Sequence, residues 1–233
     1  MHNLLENFFN ILNIYHHNKI INHLKLLKLE KIIDVGAHKG EFLSYILKLD
    51  GIKKIFAFEP QTEINKLLVQ KFGNIKNIEI FKYALDKEIS KKEIYINKLT
   101  STSTLSEYNN NSFYLKFKNF LTGSKNNFIN KYTVDTNSID NLFKDIALNN
   151  TLLKIDAEGF EIRILKGGVK KIKLEIPYIL IESQFANLYK NSNPKLVHDY
   201  LTDKNFKVLS NFYYPTLHFK DVLYKKIMPK IKE

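Results

Sequence analysis

The 233-residue chain has no cysteine, no tryptophan, a single arginine (Arg163), eight glycines and five prolines. Without cysteine there are no disulfides, no thiolate metal sites and no cysteine nucleophile, and cysteine usage says nothing about compartment. No apolar run approaches the ~20 residues that span a bilayer. The start, Met1-His-Asn-Leu-Leu-Glu-Asn-Phe-Phe9, lacks the basic region and unbroken apolar stretch of a signal peptide. A cytoplasmic protein without a transmembrane segment is therefore expected. The shortage of arginine bears on the charge of +12 and pI near 9.5. All but one of the 36 basic residues are lysine, spread along the chain beside abundant Asn and Ile. Guanine and phosphate recognition favours the arginine fork, so the charge reads as a compositional bias, and no nucleic-acid partner is expected.

What is present is a globular composition, 44% hydrophobic and 13% aromatic, with interior enough for one sizeable core. Residues 1–30 read as an N-terminal helical segment. Leu4, Leu5, Phe8, Phe9, Leu12 and Tyr15 share one face, and Ile20, Ile21, Leu24 and Leu27 another. Residues 31–233 read as the main domain, with a variable insertion at about 91–136.

The organising stretch is Lys31-Ile-Ile-Asp-Val-Gly-Ala-His-Lys-Gly-Glu-Phe42: an apolar strand ending at Asp34, a turn bracketed by Gly36 and Gly40, and a helix start. In open α/β sheets a nucleoside-bearing ligand sits here, and the glycines are expected to let it approach the main chain. The third glycine of G-x-G-x-x-G is missing, which disfavours a nicotinamide dinucleotide. A carboxylate at Asp34 repels a pyrophosphate but suits an ammonium, so S-adenosylmethionine is the better fit. Gly36, Ala37, His38 and Gly40 line this turn.

Further strands repeat the theme. Lys54–Phe58 ends at Glu59-Pro60, where Glu59 is placed to accept the ribose hydroxyls. Asn77–Tyr83 leads to Ala84, Leu85 and Asp86, placed beside the adenine. Leu152–Asp156 runs into Asp156-Ala-Glu-Gly-Phe-Glu161, and Pro177–Glu182 again ends in a carboxylate. Leu196–Leu201 reads as a helix, and Phe206–Leu209 and Val222–Lys225 as late strands whose connecting loop, with Tyr213, Tyr214 and His218, is expected to face the site. Asp34, Glu59, Asp156 and Glu182 thus gather at one sheet edge, where they repel one another unless a cation, an ammonium or hydroxyl donors sit among them.

These motifs resemble the FkbM-type S-adenosylmethionine-dependent methyltransferases. The resemblance rests on Ile33–Phe42, Phe58-Glu-Pro60, Tyr83-Ala-Leu-Asp86, Leu153–Glu161 with Leu165-Lys-Gly167, and Ile179–Glu182. It implies a Rossmann-like, mostly parallel seven-stranded sheet with helices on both faces and a late antiparallel strand. It also implies S-adenosylmethionine as donor and O-methylation of a hydroxyl on a sugar, glycan or natural product. His38, where Asn is common, and Ser183-Gln-Phe185 depart from the pattern. Removing the acceptor proton needs a base or a metal. Asp156, Glu158 and His38 are the catalytic candidates, with His218 behind them. Asp156 and Glu182 are candidate ligands for Mg²⁺ or Ca²⁺, and Asp156 a candidate for the donor's amino-acid end. Glu161 and Arg163 read as helix-surface residues. A non-catalytic interaction protein on this scaffold and an N-methyltransferase of a small molecule or peptide are the alternatives. Oligomeric state stays open, a dimer included.

Overall fold

Core strands with apolar residues on both faces have to be covered on both sides, and here two sets of helices do so. The computed structural model describes residues 2–97, 103–106, 128–184, 193–216 and 219–227. The first half comprises α1 (His2–Leu24), β1 (Lys31–Val35), α2 (Glu41–Ile46), β2 (Lys54–Phe58), α3 (Thr62–Phe72) and β3 (Ile78–Phe81). The short β4 (Ala84–Leu85), β5 (Ser90–Asn97), β6 (Phe128–Asn137) and α4 (Ile139–Leu142) follow. The remainder is β7 (Thr151–Ile155), α5 (Glu161–Lys166), α6 (Val169–Leu174), β8 (Tyr178–Gln184), α7 (Pro194–Asp203), β9 (Phe206–Tyr213) and β10 (Phe219–Lys226).

Seven strands form one sheet in the order β3-β2-β1-β7-β8-β10-β9. Pairings from β3 to β8 are parallel, and β10 runs antiparallel to both neighbours. Strand order reverses between β1 and β7, which opens a crevice at their carboxyl ends. On one face Ile32, Ile55, Leu152 and Leu180 pack against Ile20, Leu24, Leu43 and Leu68 of α1 to α3. On the other, Ile33, Phe56, Leu153 and Ile179 meet Ile139, Ile164, Ile172 and Val197 of α4 to α7.

Several elements differ from the sequence reading. In α1 the inward line is His16, Ile20, Ile21 and Leu24, whereas Tyr15 is 54% exposed. His16 replaces an apolar residue in that line because its Nε2 lies 2.7 Å from Asp221 Oδ2 on β10. The insertion is less irregular than expected. Its ends pair as β5 and β6 and, with β4, make a three-stranded sheet. Most of the Ser/Thr run at 100–104 and the Asn- and Phe-rich stretch lie outside the described residues, as does His218. The stretch Asp140–Ile146, apolar at helical spacing, forms only the single turn of α4, capped by Ser138. Past Gly167-Gly168 the chain turns straight into α6. A Cβ on Gly167 would meet the Asp86 carbonyl oxygen at 2.1 Å, so the glycine lets the 86–87 segment lie on the end of α5.

That segment also holds the lone arginine. Asp86 is fully buried and its two oxygens accept from Arg163 Nε and Nη2, each at 2.7 Å. The carboxylate ties the strand after β3 to α5 rather than facing the crevice, and Arg163 is an anchor rather than a surface residue. Ala84 and Leu85 are likewise buried, their backbone paired with Thr136 and Asn137. Asp86→Ala leaves Arg163 half-buried without its fork partner. It is expected to lower unfolding free energy by ~2 kcal/mol, measured by urea denaturation at neutral pH.

Candidate functional site

The turn after β1 is built from its own amides. Gly36 and Ala37 N–H both donate to the Phe58 carbonyl at 3.0 Å, and Gly40 N–H to Ala37 at 2.8 Å. His38 N–H donates to Glu59 Oε2 at 3.0 Å, and Lys39 N–H to Glu41 Oε2 at 3.1 Å. The amides expected to meet a ligand are therefore engaged within the protein. The two glycines are also needed for a different reason than ligand approach. A Cβ on Gly36 would stand 1.9 Å from the Asp156 carbonyl oxygen, and one on Gly40 2.1 Å from the Phe72 ring. Both have φ near +80°, a region costly for other residues. The turn is a joint between β1, β7 and α3.

Glu59 is the brace of that joint. It is 2% exposed, and its Oε1 also accepts from Gln61 N–H at 2.8 Å. Burial raises its pKa, opposed by the Gln61 and His38 contacts. The Gln61 side chain bonds it as well, and a carboxylate, with about four lone-pair sites, keeps one for a diol hydroxyl. His38 sits at φ +48° with Nδ1 2.9 Å from Glu41 Oε1. Pro60 sets the chain direction into α3.

The acids do gather at the carboxyl edge, and the cation among them is a side chain that the sequence reading did not single out. Lys154 is the register partner of Asp34 across β1 and β7. Its Nζ lies 3.2 Å from Asp34 Oδ1, 3.3 Å from Asp156 Oδ2 and 3.5 Å from the Gly36 carbonyl. Burial works against its charge, but Asp34 and Asp156 outweigh it and hold the ammonium protonated. Asp34 is fully buried; burial raises its pKa, and Lys154 is the chief opposing influence. Its Oδ2 has no hydrogen-bond partner among the described residues. The signal was a lysine inside an otherwise apolar central strand, two residues before Asp156 and so on the same face.

The Asp156–Glu161 turn carries the remaining groups. Glu158 adopts φ +48° and Gly159 φ +92°. Thr104 of the insertion donates to the Glu158 carbonyl at 2.6 Å, bringing one member of the Ser/Thr run to the site. Asp156, Glu158 and Glu182 each present an oxygen, all within 4.8 Å of one another. Glu182 is raised well above the usual carboxylate range by burial and by the charges of Asp156, Glu158 and Asp221. Gln184 Nε2 donates to Glu158 at 2.6 Å and Glu182 at 3.3 Å. Lys154 beside Asp156 and the Gln184 amide beside Glu158 and Glu182 thus ease the repulsion among these acids. Glu161 is buried, not on the helix surface: its Oε1 accepts from Gly159 N–H at 2.8 Å, and burial pushes its pKa up to about 7. Tyr214 of the late hairpin turns toward α1, donating to Asn13 at 2.6 Å and packing on His16.

Two stability predictions follow from these charges. Lys154→Met strands Asp34 in the interior and is expected to cost ~3–5 kcal/mol at neutral pH. Asp34 then takes a proton on folding, so the deficit grows as pH rises from the ordinary aspartate range near 3.8. Urea denaturation at pH 5 and 7.5 measures it. Glu161 has its pKa raised from 4.5 to about 7, so its favourable contribution is complete below the unfolded value and is lost as pH rises toward 7. Glu161→Gln removes that loss, and the melting temperature of the variant is expected to gain on the parent between pH 5 and 8.

A family model, the methyltransferase FkbM domain, matches residues 34–208. No curated protein matches the sequence. Among solved structures, methyltransferase FkbM from Methylobacillus flagellatus KT aligns with a TM-score of 0.57 at 17% identity, covering 85% of this chain and 44% of that one. The present chain therefore spans under half the length of that relative. A protein in the NADB-Rossmann superfamily from Streptococcus agalactiae aligns at TM-score 0.51 and 10% identity, covering 93% and 70%. Aeropyrum pernix fibrillarin, solved with natively bound S-adenosyl-L-methionine, aligns at TM-score 0.50 and 9% identity, covering 86% and 68%. At these identities the likeness is one of fold. The family match, by contrast, runs from Asp34 through Glu59 and Asp156 to Glu182 and beyond, over more than half of the chain, which belongs to the FkbM family of S-adenosylmethionine-dependent methyltransferases.

Proposed function

We propose that the chain transfers a methyl group from S-adenosylmethionine to a hydroxyl of a sugar, glycan or natural-product acceptor. The observation that carries this reading is the set of Asp156, Glu158 and Glu182, three carboxylates within 4.8 Å of one another beside the β1 turn. An alcohol needs its proton removed as the methyl group arrives, and a set of acids sharing protons is suited to receive it.

The residues present fit the donor. Asp34 offers a buried carboxylate oxygen, Oδ2, with no hydrogen-bond partner among the described residues, complementary to an ammonium. Glu59 offers its remaining lone pair to a ribose diol hydroxyl, between Pro60 and the turn of Gly36, Ala37, His38 and Gly40. The sulfonium of the donor, when bound, supplies an activated methyl group. Lys154 fixes Asp34 and Asp156 relative to each other, so donor-side and acceptor-side groups keep one geometry. Asp156 is the base of this reading. Its side chain is 34% exposed, and its carbonyl packs on Gly36, next to the donor turn. His38, held by Glu41, stands behind it. Ala84, Leu85 and Asp86 act here as the buried floor under the adenine side.

The acceptor is read as a small molecule or glycan rather than nucleic acid, because the lone arginine is committed to Asp86. None of the described helices is long and apolar enough to cross a membrane, and the compartment of this reading is the cytoplasm. Calorimetric titration with S-adenosylmethionine tests the donor site. Micromolar binding is expected, with Glu59→Ala weakening it by ~1 kcal/mol or more and a Kd indifferent to Mg²⁺. A Mg²⁺-dependent Kd would put an ion among Asp156, Glu158 and Glu182. Absence of binding would defeat the enzyme reading and leave a scaffold that retains the fold.

A further inference from the structure

Lysines dispersed along the sequence converge in space. In a parallel sheet each connection from a helix into the next strand ends at the amino edge, opposite the acids, and antiparallel β10 brings its own end there. Hydrogen bonds join these connections in a row. Asn77 Nδ2 donates to the Ile52 carbonyl, Lys53 N–H to Glu30 and Glu30 N–H to Asn150. Leu148 N–H donates to Glu175 Oε2, Lys226 N–H to Pro177 and Ile227 N–H to Asn205.

Along this row Lys25, Lys28, Lys76, Lys173, Lys207 and Lys225 are exposed and have no ion-pair partner among the described residues. The acids of the row, Glu30, Glu79, Asp145, Glu175 and Asp203, each lie beside a lysine of their own; exposed Asp50 is the exception. The six lysines are therefore surplus charge. A compositional excess of lysine would load both edges alike, whereas the carboxyl edge gathers Asp34, Glu59, Asp156, Glu158 and Glu182. The protein is electrically polarised along its strands.

The same edge exposes aliphatic carbon. Leu26 at 79% and Leu174 at 73% are the most exposed large hydrophobic side chains among the described residues, and Ile227 at 46% lies with them. Each adjoins a lysine, in Lys25-Leu26, Lys173-Leu174 and Lys226-Ile227. One exposed leucine is ordinary. Aliphatic tips set among unpaired lysines suit a bilayer surface, the tips entering the boundary between headgroups and acyl chains and the ammoniums meeting lipid phosphates. Nucleic acid is the weaker match, because bases are stacked on aromatic rings and read by arginine. Neither is exposed along this row among the described residues.

We propose that the amino edge of the sheet docks the protein on an anionic lipid bilayer, with Leu26, Leu174 and Ile227 inserted and the six surplus lysines over the headgroups. The proposal is independent of the methyltransferase reading. β1 is five residues long, so the carboxyl edge of the docked protein stands roughly 15 Å further toward the water and stays open.

The test is co-sedimentation of the full chain with vesicles of phosphatidylcholine, alone or mixed with phosphatidylglycerol. Binding to the mixed vesicles is expected to exceed binding to phosphatidylcholine at least about tenfold. It is expected to fall severalfold at about 0.5 M salt, where screening lengths shrink to a few ångströms. Lys25→Glu with Lys173→Glu is expected to weaken it at least about tenfold, and Leu26→Ser with Leu174→Ser at least about threefold. The serine pair keeps the test open should the charge-reversed variant fail to fold. Absence of sedimentation with the mixed vesicles, equal binding to both kinds, or full retention by both paired variants overturns the proposal. Oligouridine bound in place of vesicles overturns it too, and makes the edge a nucleic-acid surface.

Discussion

Lys154 carries the only ammonium within ion-pair distance of both Asp34 and Asp156 among the described residues, and the architecture of the edge depends on it. A charge removed from water costs several kcal/mol unless paired. Here one lysine neutralises two carboxylates from adjacent parallel strands, and its third contact is the carbonyl of Gly36. Remove that ammonium and the acids that define the crevice no longer tolerate each other's company at neutral pH. The ion pair is thus less a source of stability than the condition under which a polar edge exists on top of an apolar sheet.

Around that pair the protein is organised in two halves. The β1 side is a closed accounting of backbone groups: the amides of residues 36–40 end on Phe58, Glu59, Glu41 and Ala37, so the turn is set by the protein's own contacts. The β7 and β8 side is looser, with Glu158 in a left-handed conformation, a glycine beside it and the Gln184 amide oxygen without a hydrogen-bond partner among the described residues. Strained or unpaired groups persist where surrounding structure holds them, and they concentrate at sites of function.

Much of this was legible in the sequence, for reasons specific to each element. The strands at 31–35, 54–58 and 151–155 stand out because a parallel strand buried on both faces is a short apolar run closed by turn residues. The helix over Thr62–Phe72 is framed by Pro60 before it and Gly73 after it. The strand-end acids follow from the same framing. What was not legible depends on contacts distant in sequence. Gly36 answers to the Asp156 carbonyl and Gly40 to Phe72, neighbours no local pattern reveals. Glu161 opens a helix, a place where glutamate usually meets water, and only the packed turn shows it buried. His16 lies on the inward line of α1, and only Asp221, 205 residues away on β10, accounts for it. Lys154 was the nearest miss, since its register opposite Asp34 follows once β1 and β7 are taken as neighbours.

The contact between Thr104 and the Glu158 carbonyl has an evolutionary reading. Among the described residues the insertion reaches the carboxyl edge at two hydroxyls, Thr104 on the Glu158 carbonyl and Tyr132 on the Thr62 amide that opens α3. Exchange of the insertion therefore touches the start of α3 and the Ala84–Asp86 segment as well as the Asp156–Glu161 turn. A module fastened at both places is inherited together with the loops it touches, so its sequence drifts in step with theirs rather than as a free-standing exchange.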